Sequence, residues 1–118
     1  MMEEARLGRI EVAPTAIASI AAQAVLECYG VVGMASKSLR HGLAELLRRD
    51  SSRRGVEVRL VDGQIIIDLY VVIEYGTRIS EVAHNIMSSV KFNVEKALGM
   101  PVTQVNVHVQ GLRVSSED

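Results

Sequence analysis

The sequence predicts an α+β fold, a small mixed sheet with amphipathic helices packed on one face. Three observations predict it. Every second residue is apolar over 56–60, 65–75 and 105–109, the two-residue period of strands with a buried face. Over 17–28 and 79–98 they recur at steps of three and four, the period of helices that bury a stripe. Read in order, the chain is strand, helix, short segment, helix, hairpin, helix, strand. At 118 residues it forms one domain, expected over 8–113, with short tails over 1–7 and 114–118. A content of 48% hydrophobic and 23% charged residues fits a packed globule rather than a disordered chain. With only 3% aromatic residues, the core has to be aliphatic.

Ile10 and Val12 alternate with Arg9 and Glu11 as a short strand, and Pro14 suits the first helical turn, where its missing N–H is no loss. In the helix that follows, Ile17, Ile20, Ala21, Ala24, Val25 and Cys28 share a face rich in small residues, and Gly30 ends it. Val31-Val-Gly-Met34 then reads as extended chain. Leu39, Leu43, Leu46 and Leu47 mark a second, shorter helix, which Ser36 or Ser38 can cap. Val56, Val58 and Leu60 lead to Asp62-Gly63, a good two-residue hairpin turn. Beyond it Ile65, Ile67, Leu69, Val71, Ile73 and Tyr75 form one apolar face while Ile66, Asp68, Tyr70, Val72 and Glu74 make a mixed one, and the strand is expected to be central. The last helix places Ile79, Val82, Ala83, Ile86, Val90, Ala97 and Leu98 inward, with Glu81, His84, Asn85, Ser88 and Lys91 outward.

Catalytic and metal-binding patterns are missing from this sequence. His41, His84 and His108 fall on three different elements, without the short paired spacing of a zinc site. Cys28 lies near the C-terminal end of its helix, where the dipole disfavours a thiolate, and reads as a small core residue. Neither a Gly-x-Ser-x-Gly elbow nor a phosphate-cradling Gly-rich loop with Lys-Ser/Thr occurs. Asp68 and Glu74 share a strand face that reads as solvent-facing. The expectation is a protein that is not an enzyme and holds no cofactor or metal.

Charge is the one feature above background. Lys37, Arg40, Arg48, Arg49, Arg53 and Arg54 face only Glu45 and Asp50, so this segment carries +4 in a chain of net charge −1, leaving −5 for the rest. Such asymmetry steers an anionic partner, and these six residues are the candidate interaction site. Near-neutrality overall argues against a surface built entirely for nucleic acid. Gly30-Val-Val-Gly33 has the Gly-x-x-Gly spacing of a KH loop, but Val31 and Val32 suit a core better than a phosphate. A start of Met1-Met-Glu-Glu without an apolar run, and no apolar stretch of about 18 residues, lead to the expectation of a cytoplasmic chain.

Glu95-Lys-Ala-Leu-Gly99-Met-Pro-Val-Thr-Gln-Val105-Asn-Val107-His-Val109-Gln-Gly111 is the most specific phrase. Gly99 fits the left-handed residue that closes a helix, and Pro101 cannot continue it. The phrase resembles the C-terminal signature of the alkaline shock protein family, small envelope stress response proteins of Gram-positive bacteria. That signature reads Gly-Met/Leu-x-Val-x-x-Val-Asn-Val-x-Val-x-Gly. Gly8-Arg-Ile10-Glu-Val12 before the Ala-rich helix, and Asp68 to Gly76 before Ile79-Ser-Glu-Val82-Ala, agree with it, so the resemblance covers roughly 8–113. Family members usually carry Gln where this chain has Met87, and vary over 36–54.

The resemblance implies a non-enzymatic interaction or scaffold protein of the cell-envelope stress response. It implies an integral membrane anchor protein as partner, without insertion of this chain into the bilayer, and association into homo-oligomers. The alternative function is an RNA-binding module using the basic segment 37–54. Three tyrosines and Phe92 give few stacking platforms for bases, which weighs against nucleic acid as a partner.

Overall fold

The computed structural model of the chain describes residues 2–5, 7–35 and 55–114. Its elements are β1 (Met2–Ala5), β2 (Gly8–Glu11), α1 (Pro14–Leu26), β3 (Val31–Met34), β4 (Val56–Val61), β5 (Gln64–Glu74), α2 (Ile79–Leu98) and β6 (Gln104–Arg113). The helix expected around Leu39 to Leu47, and its Ser36 or Ser38 cap, lie outside the described residues.

Strand β5 is the centre of the sheet. On one side β6 runs parallel to it, from Ile66↔Gln104 to Glu74↔Arg113. The helical crossover through α2 is what a parallel neighbour requires. On the other side two antiparallel strands share one edge end to end: β4 faces Gln64 to Leu69, and β3 faces Val71 to Ile73. The sheet is therefore mixed. Strands β1 and β2 form a separate two-stranded hairpin, with Glu3 opposite Ile10 and Ala5 opposite Gly8.

Sequence grammar explains the turns. Asp62 and Gly63 both have positive φ, 50° and 76°, which matches the twist of a tight hairpin between β4 and β5. Gly99 closes α2 in the left-handed conformation (φ 73°, ψ 19°), and its N–H donates to the Glu95 carbonyl at 2.7 Å. Pro14 opens α1. Gly30, expected to end α1, lies four residues past its last residue: the helix closes at Glu27, whose N–H donates to the Ala24 carbonyl at 3.3 Å, and Gly30 at φ +88° instead precedes β3 in the turn that follows.

The core lies between the sheet and the two described helices. Ile65, Ile67, Leu69, Val71 and Ile73 are at most 1% exposed, packed with Ile17, Ala21, Ala24 and Val25 of α1 and Val82, Ile86, Val90 and Val94 of α2. Each large side chain so buried contributes about 1.5–3 kcal/mol by leaving water. The small residues of α1 let the helices approach each other and the sheet closely.

Some expected core positions differ. Ile79 is 43% exposed and Tyr75 62% exposed, because both fall beyond the end of the sheet, in the turn and first helical turn after β5. Ala97 is exposed while Val94 is buried, since the inward stripe of α2 runs at strict four-residue steps from Val82 to Val94.

Candidate functional site

The face of the sheet opposite the described helices carries Ile66, Asp68, Tyr70, Val72 and Glu74 of β5. Asp68, on a face that reads in sequence as solvent-facing, is instead 6% exposed, because neighbours on both flanking strands close over it. Arg59 of β4 donates to Oδ2 from Nη2 at 2.6 Å and from Nε at 3.2 Å. Asn106 of β6 donates to Oδ1 at 3.0 Å, and His108 Nε2 lies 3.0 Å from the same oxygen. Burial alone would push the Asp68 carboxyl up; the bonds from His108, Arg59 and Asn106 outweigh it and hold the group below the usual carboxylate range. The Tyr70 ring stacks on His108, with centroids 4.6 Å apart and planes at 13°.

Sequence reading missed this network. Arg59, Asn106 and His108 lie 9 to 40 residues from Asp68 in the chain, and only the register of three strands places them beside it. The available signal was parity: Asn106 and His108 fall on the polar face of β6, and an Asp in a central strand needs donors.

Of the candidate interaction residues, Lys37, Arg40, Arg48, Arg49, Arg53 and Arg54 all lie outside the described residues. Described residues flank their segment at Ala35 and Gly55. The Ala35 N–H donates to the Tyr70 carbonyl at 2.9 Å, and the Tyr70 N–H donates to the Gly55 carbonyl at 2.8 Å. Ala35 and Gly55 thus bond the same residue of β5. Gly55 is needed there: its φ is +87°, and an added Cβ would stand 2.8 Å from Met34 Cβ.

The other singled-out residues have ordinary settings. His84 is exposed on α2, with Nδ1 3.2 Å from the Ser80 carbonyl, and His41 lies outside the described residues. Half-buried Cys28 donates from Sγ to the Ala24 carbonyl at 3.4 Å. Among the described residues no group of three or more His, Cys, Asp or Glu side chains is placed to hold a metal ion.

The C-terminal phrase has a tertiary meaning. Glu95 Oε2 accepts the Val102 N–H at 2.8 Å, while Lys91 Nζ donates to the Val102 carbonyl at 2.7 Å and to Glu95 at 3.0 Å. The Val102 side chain is 1% exposed. Lys91, expected simply to face outward, therefore fixes the loop that aims β6. The Val102 N–H and the Lys91 ammonium hold the Glu95 carboxyl below its ordinary range. Strand β6 itself is an edge: among the described strands only β5 pairs with it, and Gln104 to Leu112 contain no Asp, Glu, Lys or Arg.

Residues 2–114 match the alkaline shock protein 23 family, described as having a cell envelope-related function. The chain belongs to this alkaline shock protein family. Its relatives include the uncharacterized protein YloU of Bacillus subtilis (strain 168), 46% identical over 112 residues, covering 94% of this chain and 93% of that one. The uncharacterized protein Spy1614 of Streptococcus pyogenes serotype M6 is 43% identical with the same coverage. Among solved structures, the fold is similar to "MamM V260R", with TM-score 0.51 and 16% identity over 86% of this chain and 99% of that one. It is also similar to "MamM CTD - Copper form", with TM-score 0.50 and 14% identity over 87% and 90%. At such identity the likeness concerns the fold alone. Among the described residues of this alkaline shock family chain, no helix is long and apolar enough to cross a membrane.

Proposed function

We propose that this alkaline shock family protein acts at the cell envelope by binding rather than by catalysis, held on the cytoplasmic side by a membrane-anchored partner and associating with further copies of itself. The observation that carries this reading is the edge of β6, which pairs only with β5 among the described strands. A ten-residue edge strand is a template for another strand, and proteins that avoid such pairing place Lys, Pro or inward charges there. None of these lies between Gln104 and Leu112. Two such edges pair without opposing like charges. Electrostatic attraction by the basic segment 37–54 is the second part of this reading.

The experiment is crosslinked affinity capture of the tagged chain from its own cells after gentle detergent extraction, with proteins and RNA both quantified. An integral membrane protein as dominant partner is the expected result. Reversing Arg48, Arg49, Arg53 and Arg54 to Glu should lower its recovery while leaving thermal stability unchanged. Enriched RNA without a membrane partner would overturn the reading in favour of an RNA-binding module.

A further inference from the structure

The exposed apolar side chains of this molecule are not evenly scattered. Where β5 and β6 finish and α2 begins, Tyr29 is 80% exposed, Tyr75 62%, Ile79 43%, Leu112 47% and Val114 69%. Single exposed apolar residues need no explanation, whereas a cluster of this kind marks an interaction surface. Two clefts open there. One, of about 260 Å³, lies between Tyr75, Ile79 and Leu112; the other, of about 320 Å³, lies against Tyr29, Gly30 and Val32. Both are also lined by Glu74 and Thr77.

The backbone of Glu74 is hydrogen-bonded at both its N–H and its carbonyl. Its N–H donates to the Gly30 carbonyl at 2.8 Å, and its carbonyl accepts the Thr77 hydroxyl at 2.7 Å. Among the described residues its half-buried carboxylate meets no cation. Arg113, opposite it on β6, forms no ion pair with it, and Arg78 pairs instead with Glu81 at 3.6 Å. A carboxylate so placed between two clefts suits a cation. Tyrosine rings attract the cation through their faces, and aliphatic neighbours accept the stem of a Lys or Arg. Tyr is also a residue type that carries binding energy in protein interfaces.

We propose that this end of the sheet, centred on Glu74 and flanked by Tyr29 and Tyr75, binds a Lys/Arg-rich segment that adjoins a transmembrane helix of the partner. The inference rests on the proposal of a membrane-anchored partner and adds where that partner docks and by what chemistry. Cytoplasmic flanks of membrane helices carry an excess of Lys and Arg next to apolar residues, the combination that Glu74, the tyrosines, Ile79 and Leu112 complement.

The test places a photo-crosslinking phenylalanine analogue at Tyr29, at Tyr75 and, as control, at Phe92 in the full chain in its own cells, and reads the joined peptides by mass spectrometry. Phe92 is 61% exposed and stands about 20 Å from Ile79 along α2. Crosslinks from 29 and 75 should fall within a basic stretch beside one transmembrane helix, with none there from 92. Glu74→Lys should lower their yield at least tenfold without moving the unfolding midpoint, and Glu74→Gln should lower it less. Crosslinks to another copy of this chain, to acidic sequence, or with equal yield from 92 would overturn the proposal, as would full yield with Glu74→Lys. A membrane partner captured without crosslinks at this end would remove the site and leave the envelope reading standing; no membrane partner in the capture would remove both.

Discussion

Replacing Asp68 by Ala tests how much the polar network on the face of the sheet away from α1 and α2 matters. Four hydrogen bonds end on its carboxylate, two from Arg59 and one each from Asn106 and His108. Bonds to a charged group are worth about 1.5–3 kcal/mol each when fully buried. The side chains of Arg59 and His108 are 51% and 41% exposed, so water replaces much of what they lose. Removing a carboxylate also ends its own desolvation. Discounting for both leaves a net loss of roughly 2–3 kcal/mol, which for a domain of this size is a fall in Tm of about 10 °C. The assay is thermal and urea unfolding followed by circular dichroism at several pH values. Because the folded-state pKa of Asp68 is depressed, its contribution is complete above the unfolded-state value of about 3.9 and is lost as pH falls through the lower folded value. The gap between the native chain and Asp68→Ala should therefore hold from pH 7 to about pH 5 and close in stronger acid. A gap under about 0.5 kcal/mol at pH 7, or one unchanged down to about pH 2, would refute the reasoning.

Two further outcomes follow from the same geometry. Gly55→Ala combines a positive φ with a Cβ placed 2.8 Å from Met34 Cβ and 3.0 Å from the Tyr70 carbonyl; a loss of about 2 kcal/mol or more in urea unfolding is expected, with Gly63→Ala, where nothing stands within 4 Å, losing less. Glu95→Ala removes the acceptor for the Val102 N–H, so amide exchange at Val102 should quicken while that of the β5 core amides does not change.

Most of the fold was legible because it depends on local rules. Periods of two and of three to four residues located β4, β5, β6, α1 and α2, and Asp62-Gly63 and Gly99 marked ends through backbone conformations that few residues accept, whereas α1 ends at Leu26, four residues before Gly30. The low aromatic content correctly called for an aliphatic core. The strand β1, at Met2–Ala5, carries no such pattern and emerged only through its pairing with β2.

The candidate surfaces divide differently. The basic character of Lys37 to Arg54 is a property of composition, and the family assignment is carried by ordered short phrases; both are determined by sequence alone. Register is not. Asp68, Arg59, Asn106 and His108 acquire their meaning from strands that meet across as many as 40 residues of chain. Tyr75 reads as another core residue by parity, and only the length of the sheet showed that it projects past the end, beside Glu74. Periodicity tells which way a side chain points relative to its own strand or helix. Which neighbours it meets there, and whether the sheet still continues at that position, depends on long-range packing, and that only the tertiary structure decided.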